Sequence, residues 1–204
     1  MKLNEYELDA LTEVINVGVG RAASSLSEIT DSTVKLAVPN IYVCGTPEFS
    51  EIATTLNLGF STSVQQAFEG DLSGRALLAF SSGNAFELAR LVGGIQTSDT
   101  DMDAELSGIV AEIGNIVLNA VLGSIANFLD CRLSYQLPQL CTKSEFSKII
   151  LQCSEDAQNS RSLALLADTA ITVASHDLSG SLLVLFETDD IVVMLSALTA
   201  RLTV

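Results

Sequence analysis

Glu13-Val-Ile-Asn-Val-Gly-Val-Gly20 and Glu112-Ile-Gly-Asn-Ile-Val-Leu-Asn119 are two versions of one segment, 99 residues apart. At the same offset Val34, Leu36, Val38 and Pro39 fall on Leu133, Tyr135, Leu137 and Pro138. Farther on, Asp71-Leu-Ser-Gly74 returns as Asp177-Leu-Ser-Gly180, now 106 residues later. Self-similarity at a fixed period marks a duplicated unit. The change of offset puts about seven extra residues in the second half, in the polar stretch Thr142–Ser162, which reads as a loop. Residues 1–102 carry 13 acidic and 5 basic side chains and residues 103–204 carry 12 and 5, with no Pro/Gly-rich linker between them. The expectation is a single domain over residues 1–204, fused from two repeats, 1–102 and 103–204.

Each repeat reads in the same order. A long amphipathic helix comes first, about Glu5–Ile29 and about Ala104–Leu129, with apolar residues at helical spacing. A strand follows, about Thr33–Val38 and Arg132–Leu137, alternating at period two and closed by Pro39 or Pro138, which cannot donate to a ladder. Further strands are expected at about Glu51–Phe60 and Gly74–Phe80, and at about Ala164–Ala174 and Gly180–Phe186. Each Asp-Leu-Ser-Gly element is expected to be a turn feeding a buried strand. A short helix ends each half, about Asn84–Val92 and Asp189–Ala200, the latter capped by Asp189-Asp190. The fold class is α/β. It is a layered sandwich with an internal two-fold pseudo-symmetric repeat, a mixed β-sheet and two long exposed helices.

Composition excludes several function classes. The 204 residues hold 10 Lys plus Arg against 25 Asp plus Glu, a net charge of -15. That balance suits neither a nucleic-acid phosphate backbone nor an anionic membrane surface. Mean hydropathy is high, +0.41, but no uninterrupted apolar run approaches the roughly 18 residues of a membrane span. The first residues, Met1-Lys-Leu-Asn-Glu-Tyr-Glu7, lack the apolar centre of a signal peptide. A soluble cytoplasmic protein is expected. The four cysteines, at 44, 131, 141 and 153, have no C-x-x-C spacing and only one histidine, His176, accompanies them. They read as reduced, mostly buried thiols, with no metal site. No phosphate-binding glycine motif or Gly-x-Ser-x-Gly elbow occurs, and His176 beside Asp177 reads as a turn residue.

On the first helix Leu8, Leu11, Ile15, Ala22, Leu26 and Ile29 share the core face, while Asp9, Glu13, Asn16, Gly20, Ala23 and Ser27 lie roughly 140° away. On the second helix Val110, Ile113, Val117 and Ala120 face inward. Gly108, Glu112, Asn115, Asn119, Gly123 and Ala126 are displaced in the same way. Each Glu/Asn pair, three residues apart, is a surface pair flanked by small residues. Both pairs persist where neighbours have diverged, as Thr12 has against Ala111 and Ser24 against Gly123.

Both halves read Glu-x2-Asn-x22-Pro, and in the first half Asp9 precedes Glu13 by four. This resembles the Asp/Ser-x3-Glu-x2-Asn-x22-Pro signature of the CheC/CheX/FliY family of chemotaxis phosphatases. With two intact motifs in about 200 residues, it is most similar to the CheC type. The resemblance covers nearly the whole chain and implies a hydrolase acting on the aspartyl phosphate of the response regulator CheY in two-component signalling. It implies two catalytic pairs, Glu13 with Asn16 and Glu112 with Asn115, and motif-associated Asp9, Pro39 and Pro138. Asn would orient the attacking water, and Glu would engage a lysine of the regulator. No cofactor of the chain's own is implied, because Mg2+ would belong to the phosphorylated partner. Gly108 departs from the Asp/Ser expected four before Glu112. The alternative is a non-catalytic adaptor binding a CheD-type receptor deamidase.

Overall fold

The computed structural model describes residues 4–38, 40–43, 62–95, 104–149, 162–173 and 176–187. Helix α1 spans Glu5–Thr30. Asn4 starts it with a capping box: its Oδ1 accepts the Glu7 N–H at 3.0 Å while the Glu7 carboxylate accepts the Asn4 N–H at 2.8 Å. The helix stops at Asp31, whose φ of 48° cannot continue it. Helix α2 spans Ser82–Gly93, begins on a Ser81 cap and ends on Gly94 with φ 63°. Helix α3 spans Ala104–Leu129. The helical spacing therefore gave the long helices to within a residue. Leu11, Ile15, Ala22 and Leu26 are buried as expected, but Ile29 is 66% exposed. The last turn of α1 outruns the apolar surface that its stripe packs on. Ala23 and Ala126, expected outward, are buried. On α3 the polar face opens along the earlier turns, whereas on α1 Gly20, Arg21, Ser24 and Glu28 keep the later turns open beside the buried Ala23.

Strands β1 (Val34–Ala37), β2 (Ile41–Val43), β3 (Thr62–Gly70), β4 (Gly74–Phe80), β5 (Leu133–Tyr135), β6 (Gln139–Thr142), β7 (Ser162–Val173) and β8 (His176–Glu187) form one sheet. Its order is β1-β7-β8-β4-β3-β5, with β2 beside β7 and β6 beside β3. Every pairing among the described strands is antiparallel, which corrects the expectation of a mixed sheet. Neighbouring strands β3 and β4, and β7 and β8, are joined by short reversals, and such connections impose antiparallel pairing. The halves meet where β4 lies against β8, with Leu77 opposite Leu183. Expected strands at 74–80 and 180–186 are present, and that at 164–174 is present as far as Val173, residue 174 lying outside the described residues. Strands β2, β3 and β6 were not anticipated, and the expected strand 51–60 and helix 189–200 lie outside the described residues.

Asp71-Leu-Ser-Gly74 is the expected turn, tied to the start of β5 by reciprocal bonds. The Asp71 N–H donates to the Arg132 carbonyl at 3.0 Å, and the Arg132 N–H donates to the Asp71 carboxylate at 2.8 Å. Asp177-Leu-Ser-Gly180 is not a turn. The β7–β8 ladder runs to Val173 opposite His176, so the chain reverses before the motif, and His176 is a strand residue. Residues 143–149, expected as loop, are helical. A capping box with Thr142 and Glu145 starts that helix.

Helices α1, α2 and α3 cover one face of the sheet, with Leu11, Val19, Leu88, Val117, Leu78, Phe80 and Phe186 in one cluster. Each such side chain stabilises by about 1.5–3 kcal/mol when fully buried. Leu77, Leu166 and Leu183 are equally buried on the other phase of the strands, so the sheet centre is covered on both faces. Helices α1 and α3 pack on each other at Gly18, where a Cβ would lie 2.7 Å from the Val121 Cα and 3.0 Å from the Ala120 oxygen. Gly18 thus serves close helix packing. Helix α3 is long and apolar enough to cross a membrane by length and composition, contrary to the sequence expectation, but 56% of its most apolar window is buried inside the fold. Cys131 and Cys141 are free and half-buried, while Cys44 and Cys153 lie outside the described residues.

Candidate functional site

The two Glu/Asn pairs sit on the same kind of scaffold but are held differently. On α1, Glu13 is exposed and Asn16 half-buried. Asn16 grips the main chain of Val38 with both ends of its amide. Its Nδ2 donates to the Val38 carbonyl at 3.2 Å, and its Oδ1 accepts the Val38 N–H at 3.0 Å. Only one amide orientation satisfies both bonds. Val38 immediately precedes Pro39 in the sequence, so in this half the Asn-x22-Pro spacing matches a physical contact. Pro39 itself lies outside the described residues. The clamp bridges a slip in the edge ladder, where Ala37 faces Ala170 and Ile41 faces Ala167: four steps along the outer strands against three along β7.

On α3, Glu112 is exposed and Asn115 half-buried. The same slip recurs, with Tyr135 opposite Phe68 and Gln139 opposite Gln65, and Pro138 lies within it. Here the amide does not hold the strand. Leu137, the residue 99 after Val38, is 85% exposed. Asn115 Oδ1 instead accepts from Asn119 Nδ2 at 2.8 Å. Asn119 Oδ1 accepts from Gln66 Nε2 at 3.0 Å, and the same nitrogen donates to the Gln136 carbonyl at 2.9 Å. The Asn115 amide nitrogen has no hydrogen-bond partner among the described residues. Glu13 and Glu112 likewise have no ion pair or hydrogen bond among them. Each exposed carboxylate is available to a cation brought from outside.

The remaining residues frame these pairs. Asp9 is exposed one turn before Glu13, and Gly108 is exposed at the matching place before Glu112. Arg21 reaches across to α3, where its guanidinium donates to Ser124 Oγ at 3.4 Å. Tyr135, Leu137 and Leu140 are exposed apolar residues along the β5–β6 edge. Tyr135 and Leu140 pair with Phe68 and Val64, whose side chains face α3, so they share its side of the sheet. Burial, with the Asp71 charge second, pushes the Cys131 thiol up. Burial, with the Glu145 charge second, does the same to Cys141. Neither is a thiolate nucleophile at neutral pH. Among the described residues no three His, Cys, Asp or Glu side chains lie together as a metal group.

Asn119 was legible on the outward face of the second helix, but its bond to Asn115 was not. Gln66 was missed because its strand was not anticipated. Its signal is a polar residue in the apolar phase Val64-Gln66-Phe68, and a buried amide in that phase requires partners.

Asn16→Ala is expected to lower stability by about 2 kcal/mol, because it strips both hydrogen bonds from the buried Val38 peptide groups. Asn115→Ala should cost less than about 1 kcal/mol, since Asn115 bonds only another side chain. Urea midpoints at constant slope measure both; equal destabilisation would contradict the difference in anchoring.

No protein-family model matches the chain. It is 24% identical over 177 residues to the CheY-P phosphatase CheC of Bacillus subtilis (strain 168), covering 85% of this chain and 84% of that protein. In structure it is similar to Thermotoga maritima FliY, with a TM-score of 0.75 and 17% identity over 98% of this chain and 100% of that one. It is also similar to a chain in the FliG–FliM complex from H. pylori, with a TM-score of 0.64 and 17% identity over 95% of this chain and 100% of that one. CheX from Vibrio vulnificus gives a TM-score of 0.55 and 14% identity over 86% and 99%. The resemblance carried by the two motifs is thereby borne out: in sequence the chain is similar to CheC, and it has the fold of FliY and CheX.

Proposed function

We propose that this chain is a phosphatase that accelerates hydrolysis of the aspartyl phosphate of CheY, using Glu13 with Asn16 and Glu112 with Asn115. The observation that carries the reading is Asn115. It is a half-exposed carboxamide three residues from a carboxylate, and among the described residues its oxygen is oriented by Asn119 while its nitrogen and that carboxylate have no partner. The likeness to CheC supplies the substrate.

The chemistry suits such residues. Phosphoryl transfer needs positioning and charge stabilisation more than covalent help. A neutral amide oxygen keeps a second lone pair after accepting one bond, so it can hold a water without repelling phosphoryl oxygens. A carboxylate in that place would repel them. Glu112 and Glu13 therefore act beside the phosphorus, pairing with a cation of the regulator. The charge neutralisation that a divalent ion supplies belongs on this reading to the regulator as Mg2+, and the chain contributes water orientation and docking. The exposed Leu137 follows Gln136, whose carbonyl shares Gln66 with Asn119, and with Leu140 on the same edge it fits a docking role. Leu137→Asp is expected to raise KM for phosphorylated CheY about tenfold with kcat little changed, as loss of uniform binding does. An unchanged KM would remove these leucines from the interface.

On the same reading residues 1–102 and 103–204 are two halves of one pseudo-two-fold domain. Support comes from the strand order, which reads alike from either end. Leu77 also faces Leu183, its own counterpart 106 residues on. A cytoplasmic location suits the proposed substrate.

The test is the loss of phosphorylated CheY with and without the chain at micromolar concentration. Acceleration over spontaneous hydrolysis supports the reading. No acceleration moves the assignment to an adaptor, with a CheD-type deamidase as partner. That second reading is favoured by one observation: the FliM middle domain of H. pylori, a protein also solved in complex with FliG, has a similar fold.

A further inference from the structure

Asn119 and Gln66 have no counterparts in the first half. The residue 99 before Asn119 is Gly20, around which space is open. Across the recurring slip the strand position matching Gln66 is Thr169: Phe68 and Val64 face Tyr135 and Leu140, where Ile171 and Ala167 face Leu36 and Ile41, the residues 99 earlier, and Thr169 carries no amide to bridge helix and edge. Gln66 is 2% exposed, and its Oε1 has no hydrogen-bond partner among the described residues. An orphaned buried acceptor is a cost that alanine would avoid. Both Gln66 N–H groups are nevertheless used, one on Asn119 and one on the Gln136 carbonyl. The local geometry makes room for this. Gly114 stands where the first half has Ile15, and a Cβ there would meet Val64 Cγ1 at 2.5 Å. Helix and strand can therefore close until Gln66 reaches Asn119.

Building on the phosphatase reading, we propose that Asn119, held by Gln66, is a positioning residue for Asn115. Gln66 donates to Asn119 Oδ1, which leaves Asn119 Nδ2 to face Asn115. That donor takes one lone pair of the Asn115 oxygen and so fixes the amide plane, leaving the second lone pair, beside the NH2 group, to hold water in a set direction. In the first half the Val38 main chain does this work for Asn16 directly, so no relay is required. The second half gives its strand to Gln66 and frees its carboxamide from the clamp. A buried polar side chain retained at a cost to stability is expected where function, not packing, dictates the residue.

The test uses the full chain and phosphorylated CheY. Asn119→Asp keeps the shape and still accepts from Gln66, but it cannot donate to Asn115. Asn119→Leu removes the donor without adding charge. Both are expected to lower kcat about tenfold, as misplacement of a reacting group does, with KM changed less than about twofold. In Asn119→Asp the Asn115 amide turns over to donate to the new carboxylate. Its side-chain NH2 resonances should therefore shift, with slowed exchange of one proton, while backbone resonances elsewhere stay in place. Wild-type kcat in both variants would overturn the proposal and leave the phosphatase reading standing. A wild-type chain that does not accelerate hydrolysis would overturn the phosphatase reading and this role together. The wild-type rate alone therefore tells the two failures apart.

Discussion

Asn115→Ala is expected to remove about nine-tenths of the turnover of phosphorylated CheY, Asn16→Ala less than about half per folded molecule, and the double variant at least about 10²-fold. The ranking follows from how each amide is occupied. Asn16 already spends its oxygen and one N–H on the Val38 peptide groups. It can hold water only with what is left, one lone pair and one N–H. Among the described residues Asn115 has an unengaged nitrogen and an oxygen with a single partner. Initial rates of phosphoryl loss, corrected for the folded fraction from the urea midpoints, separate the two halves. If Asn16→Ala abolishes turnover while most of the chain stays folded, the ranking is reversed. If neither single variant nor the double variant slows hydrolysis, the carboxamides are not the catalytic groups.

Gly18→Leu is expected to destabilise the fold by about 3 kcal/mol or more, the upper range for overpacking a tight contact. The obstruction is main chain: the Val121 Cα and the Ala120 carbonyl lie within 3.0 Å of where a Cβ would sit. Backbone within a helix cannot rotate aside as a long side chain can, so α1 and α3 would have to separate. Gly20→Ala, two residues on and in open space, should leave the fold no less stable and even gain a few tenths of a kcal/mol from helix propensity. Thermal unfolding of the pair checks the contrast. A Gly18→Leu chain as stable as the parent would mean that the helices do not cross at Gly18.

Much of this architecture was legible because duplication and periodicity are local properties. The stripe Leu11-Ile15-Ala22-Leu26 fixed α1, and its counterpart fixed α3. The run Gly74–Phe80 and its copy Gly180–Phe186 fixed the two central strands, which proved to pair with each other. Strand β3 was not legible. Its alternation Val64-Gln66-Phe68 is broken by the glutamine that matters most to the second half. The copied Asp-Leu-Ser-Gly misled for a related reason: the same four residues turn in one half and extend in the other, because turn position depends on the length of the partner strand.

The candidate residues divide the same way. The sequence by itself determined that two Glu/Asn pairs exist and lie on helix faces away from the core, because spacing along a helix sets direction. It could not determine what each amide touches. Val38 is 22 residues from Asn16, Gln66 is 53 from Asn119, and Val121 is 103 from Gly18. Contacts at such separations are set by how helices and sheet pack, and packing responds to single positions such as Ile15 against Gly114. Two nearly identical motifs thus became a main-chain clamp in one half and a carboxamide held by a single side chain in the other.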